Sequence, residues 1–455
     1  MPFVSINPAT ARTIRRYRAH TRGQIQEILA HTHAAFLGWR ELARSERIKH
    51  LHALASQLRR ERDSLADLIV TEMGKPLAQA RLEIEKCAAT CDHYARYGGR
   101  SLKPERPPGA PKHAQIVFEP LGVLLAIMPW NYPFWQVFRA AAPALLSGNT
   151  MLLKHAPNAT GCALAIEEVV RRAGLPSGVL RTVLAETREI PAVIADPRIR
   201  AVTLTGSTRA GRAVGALAGA ALKPCVFELG GSDPYLVLAD ADVDKAAAIC
   251  ATARLINGGQ SCISAKRMIV VESVRKAFET RLVAEFARRS VGDPTRAETD
   301  VGPIARDDLR RNLHRQVTAS VRAGAQLLAG GTLPRGPGFF YPLTILSGVR
   351  PGMPAHDEEL FGPVAAIISV PDTEAAIATA NATSFGLGGA VFTRNRRLGE
   401  TIARERLDVG MAFVNDFVRS DPHLPFGGVK ESGYGRELGE FGVRTFVNAK
   451  TLWVR

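Results

Sequence analysis

Leu121-Gly-Val-Leu-Leu-Ala-Ile-Met-Pro-Trp-Asn-Tyr-Pro133 opens with an uncharged apolar run and ends in a loop braced by two prolines. The run 123–128 has the length and composition of a strand buried on both faces, and it is too short to cross a bilayer. Downstream the chain alternates: a helix over 135–146, a strand over 150–154, a helix over 159–173, a strand over 201–205, a helix over 209–221 and the apolar segment 225–229. Strands alternating with helices of that size predict an open, mostly parallel α/β sheet. After Gly231 a second α/β series is expected, with strands at 235–238, 267–272 and 365–370 and helices at 243–255, 274–290 and 307–323. Upstream, apolar positions between Thr21 and Gly74 recur at helical spacing until Gly74 and Pro76 stop them, and 77–97 resumes as a helix. A Gly/Pro-rich link at 98–111 leads to the extended segment 113–120. The last apolar run, 446–454, reads as a strand in need of a partner, another subunit among the candidates.

Bulk properties narrow the function classes. The 455 residues are 46% apolar and 22% charged, ordinary for a globular protein of two or three domains. The N-terminus lacks the apolar stretch of a secretory signal, so a soluble, cytoplasmic protein without a membrane partner is expected. The six cysteines are scattered, unlike a secreted disulfide framework. Cys87 and Cys91 fall in a helical run and read as core positions, so no metal site is expected. The net charge of +16 is spread along the chain, not gathered into a basic stripe interleaved with aromatics. That pattern disfavours nucleic acid and favours anionic small molecules.

Four stretches carry possible chemistry. Asn257-Gly-Gly-Gln-Ser-Cys262-Ile-Ser-Ala-Lys-Arg267 sets a cysteine in glycine-bearing, irregular backbone, where it is either an accessible nucleophile or a thiol filling a gap. Phe227-Glu-Leu-Gly-Gly-Ser232 places Glu228 in an apolar strand, as a general base or as half of a buried ion pair. Asn131, between aromatic residues and prolines at a strand's carboxyl end, is either a preorganised donor or a turn residue. Thr205-Gly-Ser-Thr-Arg-Ala-Gly211 joins a strand to a helix; Gly206 and the new helix terminus suit a phosphate, although a plain turn reads equally well.

Together these motifs resemble the aldehyde dehydrogenase superfamily, along with Glu358-Glu-Leu-Phe-Gly-Pro-Val364 and Pro425-Phe-Gly-Gly-Val-Lys-Glu-Ser-Gly433. The likeness runs through effectively the whole chain. Leu153-Lys-His-Ala-Pro-Asn158 and Glu228-Leu-Gly-Gly-Ser-Asp-Pro234 are most similar to short bacterial succinate-semialdehyde dehydrogenases. The resemblance implies two open parallel-sheet α/β domains plus a small β oligomerisation arm. It divides the chain into a cofactor-binding domain (1–112 and 121–229), a catalytic domain (230–425) and the arm (113–120 and 437–455). It implies a homodimer or homotetramer that oxidises a semialdehyde. Cys262 is then the nucleophile, Asn131 holds the oxyanion with the Cys262 backbone N–H, and Glu228 activates the hydrolytic water. Lys154 and Glu359 bind the cofactor riboses, Ser207 the pyrophosphate beside Gly206, Phe361 the nicotinamide ribose, and Trp130 lines the cofactor site. Arg139 is implied to bind the substrate carboxylate, with Arg419 a substitute for a second arginine that this chain replaces by Ile256. Pro157 stands where many members carry a glutamate that repels a 2′-phosphate, so the expected cofactor is NAD with NADP possible. Broader aldehyde specificity, a coenzyme A-acylating relative and a non-catalytic scaffold are the competing readings; Glu228 argues against the second and the intact catalytic set against the third.

Overall fold

The computed structural model describes residues 3–455, so the first two residues of the expected cofactor-binding segment lie outside it. The chain builds two mostly parallel sheets. The first has six strands in the order Gly433–Tyr434, Cys225–Glu228, Ile199–Thr205, Val123–Met128, Thr150–His155, Leu180–Thr182, with only the first antiparallel to its neighbour. The strand Val123–Met128 is central because it can be buried on both sides. Leu124, Ala126 and Met128 enter one apolar cluster while Val123 and Leu125 enter another, as the two-residue period of a strand requires. Register lines up the carboxyl ends of these strands. Ile127 lies between Lys154 and Leu204, and Thr205 lies opposite Glu228. Lys154, Gly206, Glu228 and the loop carrying Trp130 and Asn131 therefore share one sheet edge.

The second sheet has seven strands in the order Gln326–Ala329, Thr344–Ser347, Val364–Val370, Ala265–Val271, Asp233–Val237, Gly388–Phe392, Met411–Val414. Only Gln326–Ala329 runs antiparallel. A separate antiparallel pair joins Ala114–Pro120 to Val447–Trp453 along seven residues each, so the C-terminal strand finds its partner within the chain. A hairpin of Phe3–Asn7 and Arg12–Tyr17 was not expected from the sequence. Its second strand is exposed at nearly every position, so no apolar alternation announces it.

Two helices of the N-terminal layer fix the helices behind the first sheet. Arg62–Met73 carries Glu72, which accepts from the backbone N–H groups of Gly161 (2.9 Å) and Cys162 (2.8 Å) at the start of Thr160–Arg172. Leu77–Tyr97 carries Glu83, which accepts from Phe134 N (2.9 Å) and Trp135 N (3.0 Å) at the start of Trp135–Leu146. A carboxylate at a helix N-terminus satisfies orphan donors and complements the dipole. Glu83 is itself ion-paired with the buried Lys75. The loop 129–133 is thereby clamped at its exit.

Candidate active site

The helix Val243–Leu255 aims at the cysteine loop, and Ser264 closes its end by donating to the carbonyls of Ala253 (2.8 Å) and Arg254 (3.1 Å). Ser264 is thus committed to the backbone. The chain then reverses through Asn257, Gly258 and Gly259, all at positive φ (57°, 61° and 71°). Glycine and asparagine tolerate this region best. The reversal is held from several sides. Arg254, fully buried, donates to the carbonyls of Gly259 (3.2 Å), Leu360 (2.8 Å) and Gly362. The Gln260 amide accepts from Ala305 N (2.9 Å) and donates to the Asn257 carbonyl (3.2 Å). Lys266 donates to the carbonyls of Ser261 (2.9 Å) and Cys262 (2.7 Å).

Asn131 meets this loop directly. Its side-chain amide donates to the Gln260 carbonyl at 3.0 Å, and Asn257 returns an amide donor to the Asn131 carbonyl at 2.8 Å. One N–H of the Asn131 amide is thereby held, and the second has no protein acceptor among the described residues. Cys262, partly exposed, lines a cavity of about 190 Å³ with Tyr132, Trp135, Phe426 and three cationic side chains, Lys86, Arg139 and Arg419. Burial pushes the Cys262 thiol up to about 12; Arg139 and Lys266 oppose this, while Glu228 and Glu359 add to it.

Glu228 ends the strand Cys225–Glu228, buried, with neither carboxylate oxygen hydrogen-bonded. Burial drives its carboxyl well above the usual range, against the pull of Arg139 and Arg436 and reinforced by Glu437. It does not line the cavity around Cys262 and lies instead against Gly427, where any Cβ would crowd its carboxylate. An unpartnered carboxyl is what a water-activating base needs and what a structural ion pair lacks.

Arg139 lies on the cavity wall, but its guanidinium is engaged. It is ion-paired with the buried Glu437, donates to Thr205 Oγ1 at 3.2 Å and sits 4.5 Å from the Phe426 ring centroid. Arg419 is half-exposed and ion-paired with Asp416 at 2.8 Å.

Of the residues expected to hold the cofactor, Lys154, Gly206, Ser207 and Trp130 lie along the shared sheet edge, and Glu359 and Phe361 come from the loop before the strand Val364–Val370 of the second sheet. Ser207 caps the helix Thr208–Ala220 by accepting from Ala210 N at 3.3 Å. A Cβ at Gly206 would make only ordinary contacts with Leu204 and Ala210, at 3.8 and 3.9 Å. Trp130 and Phe361 meet edge to face at 5.7 Å. Lys154 is partly buried and has no carboxylate partner among the described residues. Glu359 is ion-paired with Lys266 at 3.1 Å and accepts from Gly231 N at 3.1 Å. A cation without a carboxylate partner, a helix N-terminus at the strand's carboxyl end and an aromatic corner fit a dinucleotide at the edge of an open sheet.

His155 ties this edge to the catalytic loop. Its Nε2 donates to the Pro133 carbonyl (3.0 Å) and its Nδ1 accepts from Ala156 N (2.8 Å). Burial holds it neutral, down to about 4, consistent with one donor and one acceptor nitrogen. Sequence reasoning missed this link, and missed Lys266, Gln260, Glu83 and Lys86. Lys266 had a signal, since a charge within a mostly apolar strand is the feature that marked Glu228.

The chain belongs to the aldehyde dehydrogenase family, whose sequence model matches residues 2–452. It is an oxidoreductase of that class. Among its relatives, the Escherichia coli K12 succinate semialdehyde dehydrogenase [NAD(P)+] Sad is 46% identical, with 99% of this chain and 97% of the relative covered. A probable succinate-semialdehyde dehydrogenase [NADP(+)] of Synechocystis is 44% identical over 100% of both. The fold superimposes with a TM-score of 0.96 on the succinic semialdehyde dehydrogenase of Streptococcus pyogenes in complex with NADP+, at 35% identity and 99% coverage of both chains.

Proposed function

We propose that this enzyme oxidises succinate semialdehyde to succinate in the cytoplasm, with NAD as cofactor and NADP also accepted. The observation that carries the reading is the hydrogen bond from the Asn131 amide to the Gln260 carbonyl, two residues before Cys262, whose own side chain lines a cavity with three cations. The names of the relatives support the substrate and the cofactors. No helix among the described residues is long and apolar enough to cross a membrane, in keeping with that location.

Chemistry begins with the Cys262 thiol giving up its proton to solvent water and the sulfur bonding to the aldehyde carbon. The oxyanion of the resulting thiohemiacetal is held by the free N–H of Asn131 and the backbone N–H of Cys262. NAD(P)+, when bound, accepts the hydride of that carbon. Lys154 and Glu359 would hold its riboses, Gly206 and Ser207 its pyrophosphate, and Trp130 and Phe361 would flank the nicotinamide end. A thioester on Cys262 remains. Glu228, once ionised, takes a proton from water as the water oxygen bonds to the acyl carbon, and the C–S bond breaks to release the acid and the thiolate. Arg139 and Arg419 add positive field for a substrate carboxylate. With Pro157 in place of a carboxylate near the adenosine ribose, nothing at that position repels a 2′-phosphate.

Assembly as a homodimer or homotetramer is supported by the arm. Leu424 (61% exposed), Phe441 (62%) and Trp453 (52%) leave apolar surface on and beside it, of the kind that subunit contacts cover. A steady-state panel tests the proposal: succinic, glutaric and malonic semialdehydes and an uncharged aldehyde, each with NAD and NADP. Highest kcat/KM for succinate semialdehyde supports it; preference for the uncharged aldehyde overturns it.

A further inference from the structure

Three cations line the cavity beside Cys262, and their partners differ. Arg139 is bound to Glu437, and Arg419 to Asp416 at the cavity rim. Lys86, on the helix Leu77–Tyr97, has no carboxylate within ion-pair distance among the described residues. Its ammonium rests 2.6 Å from Ser420 Oγ and 4.4 Å from the Trp135 ring centroid. A largely desolvated cation that faces a cavity and touches a hydroxyl and an indole, with Glu83 and Asp421 near but beyond ion-pair distance, lacks a paired anion. The same cavity presents Cys262.

We infer that Lys86, with the Ser420 hydroxyl beside it, is the residue that recognises the substrate carboxylate and so sets specificity for short ω-oxo acids. The inference rests on the proposed semialdehyde activity and names the group that selects for it. Arg139, engaged by Glu437, then shapes the field of the cavity without holding the carboxylate. Burial lowers Lys86 to about 8; Arg139 pushes the same way, while Cys87, Glu83 and Asp421 oppose it. The cation is thus present at neutral pH and lost above about pH 8, so affinity for an anionic substrate should fall there.

The test uses the full-length enzyme with NAD and compares kcat/KM for succinate semialdehyde with that for butanal. Lys86→Met should lower this ratio about 100-fold, the cost of removing one partner of a desolvated charge pair. Lys86→Arg should keep it within about tenfold. In the wild type the ratio should fall as pH rises from about 7 to about 9.5, and in Lys86→Arg it should stay flat, because arginine does not titrate there. A merely structural lysine would not give that contrast. Should Lys86→Met fail to fold, the pH profiles of wild type and Lys86→Arg decide alone. A ratio unchanged in folded Lys86→Met, or the same pH profile in both proteins, overturns the inference and leaves the semialdehyde reading standing. A wild type that does not prefer succinate semialdehyde to butanal overturns both.

Discussion

Burial pushes the Cys262 thiol up to about 12, so the proposed nucleophile rests protonated at neutral pH. Alkylation of Cys262 by iodoacetamide should therefore be slow near neutrality and accelerate as pH rises; fast alkylation at neutral pH would show that the thiol is ionised in the free enzyme. Removing the Asn131 donor isolates the proposed oxyanion contact. Asn131→Ala should lower kcat by about 10²–10³, with a smaller change in KM, as steady-state kinetics will show. Glu228 is also raised, so its carboxyl is neutral at low pH and gains base strength as pH rises through its folded value. Acid release should accordingly rise with pH. Glu228→Gln should slow it by about 10²–10⁴ while leaving a first-turnover burst of reduced cofactor, visible by stopped-flow absorbance.

The elements that aim these residues are held by buried polar contacts. Glu83 caps Trp135–Leu146 and pairs with Lys75. Glu83→Ala should cost about 3–5 kcal/mol, because it strands a buried cation, and denaturant titration reads this as a lowered midpoint. Gly259 sits at φ 71°, and a Cβ there would strike the Gly362 carbonyl. Gly259→Ala should lower stability and activity together. Much of this level was legible beforehand. The helices Leu77–Tyr97, Trp135–Leu146 and Val243–Leu255 begin and end where the apolar periodicity places them, because each buries a continuous face. The strands Gly388–Phe392 and Met411–Val414 were not, being short and, in the first case, opened by two glycines. Cys262, Asn131 and Glu228 stood out because glycines, prolines or apolar neighbours isolate them. Lys86 gave no such signal. It follows Glu83 and Glu85 on one helix and reads as part of a charged face, until packing sets it against Trp135 and Ser420.

At the scale of the whole molecule, the two sheets carry different halves of the proposed site. The first carries the proposed dinucleotide edge, Asn131 and Glu228; the loop entering the second carries Cys262, and the strand that follows carries Lys266. The arm Ala114–Pro120 with Val447–Trp453 stands apart from both sheets. Trp453→Glu should lower the mass of the assembly measured by light scattering, whereas an unchanged mass would remove that residue from any subunit contact. Joining the two halves of the site is the central claim, and the acyl-enzyme tests it most directly. Glu228→Gln incubated with succinate semialdehyde and NAD, then acid-quenched and digested, should carry one succinyl group on the peptide containing Cys262. An unmodified Cys262 peptide from an enzyme that still completes its first turnover would contradict the account.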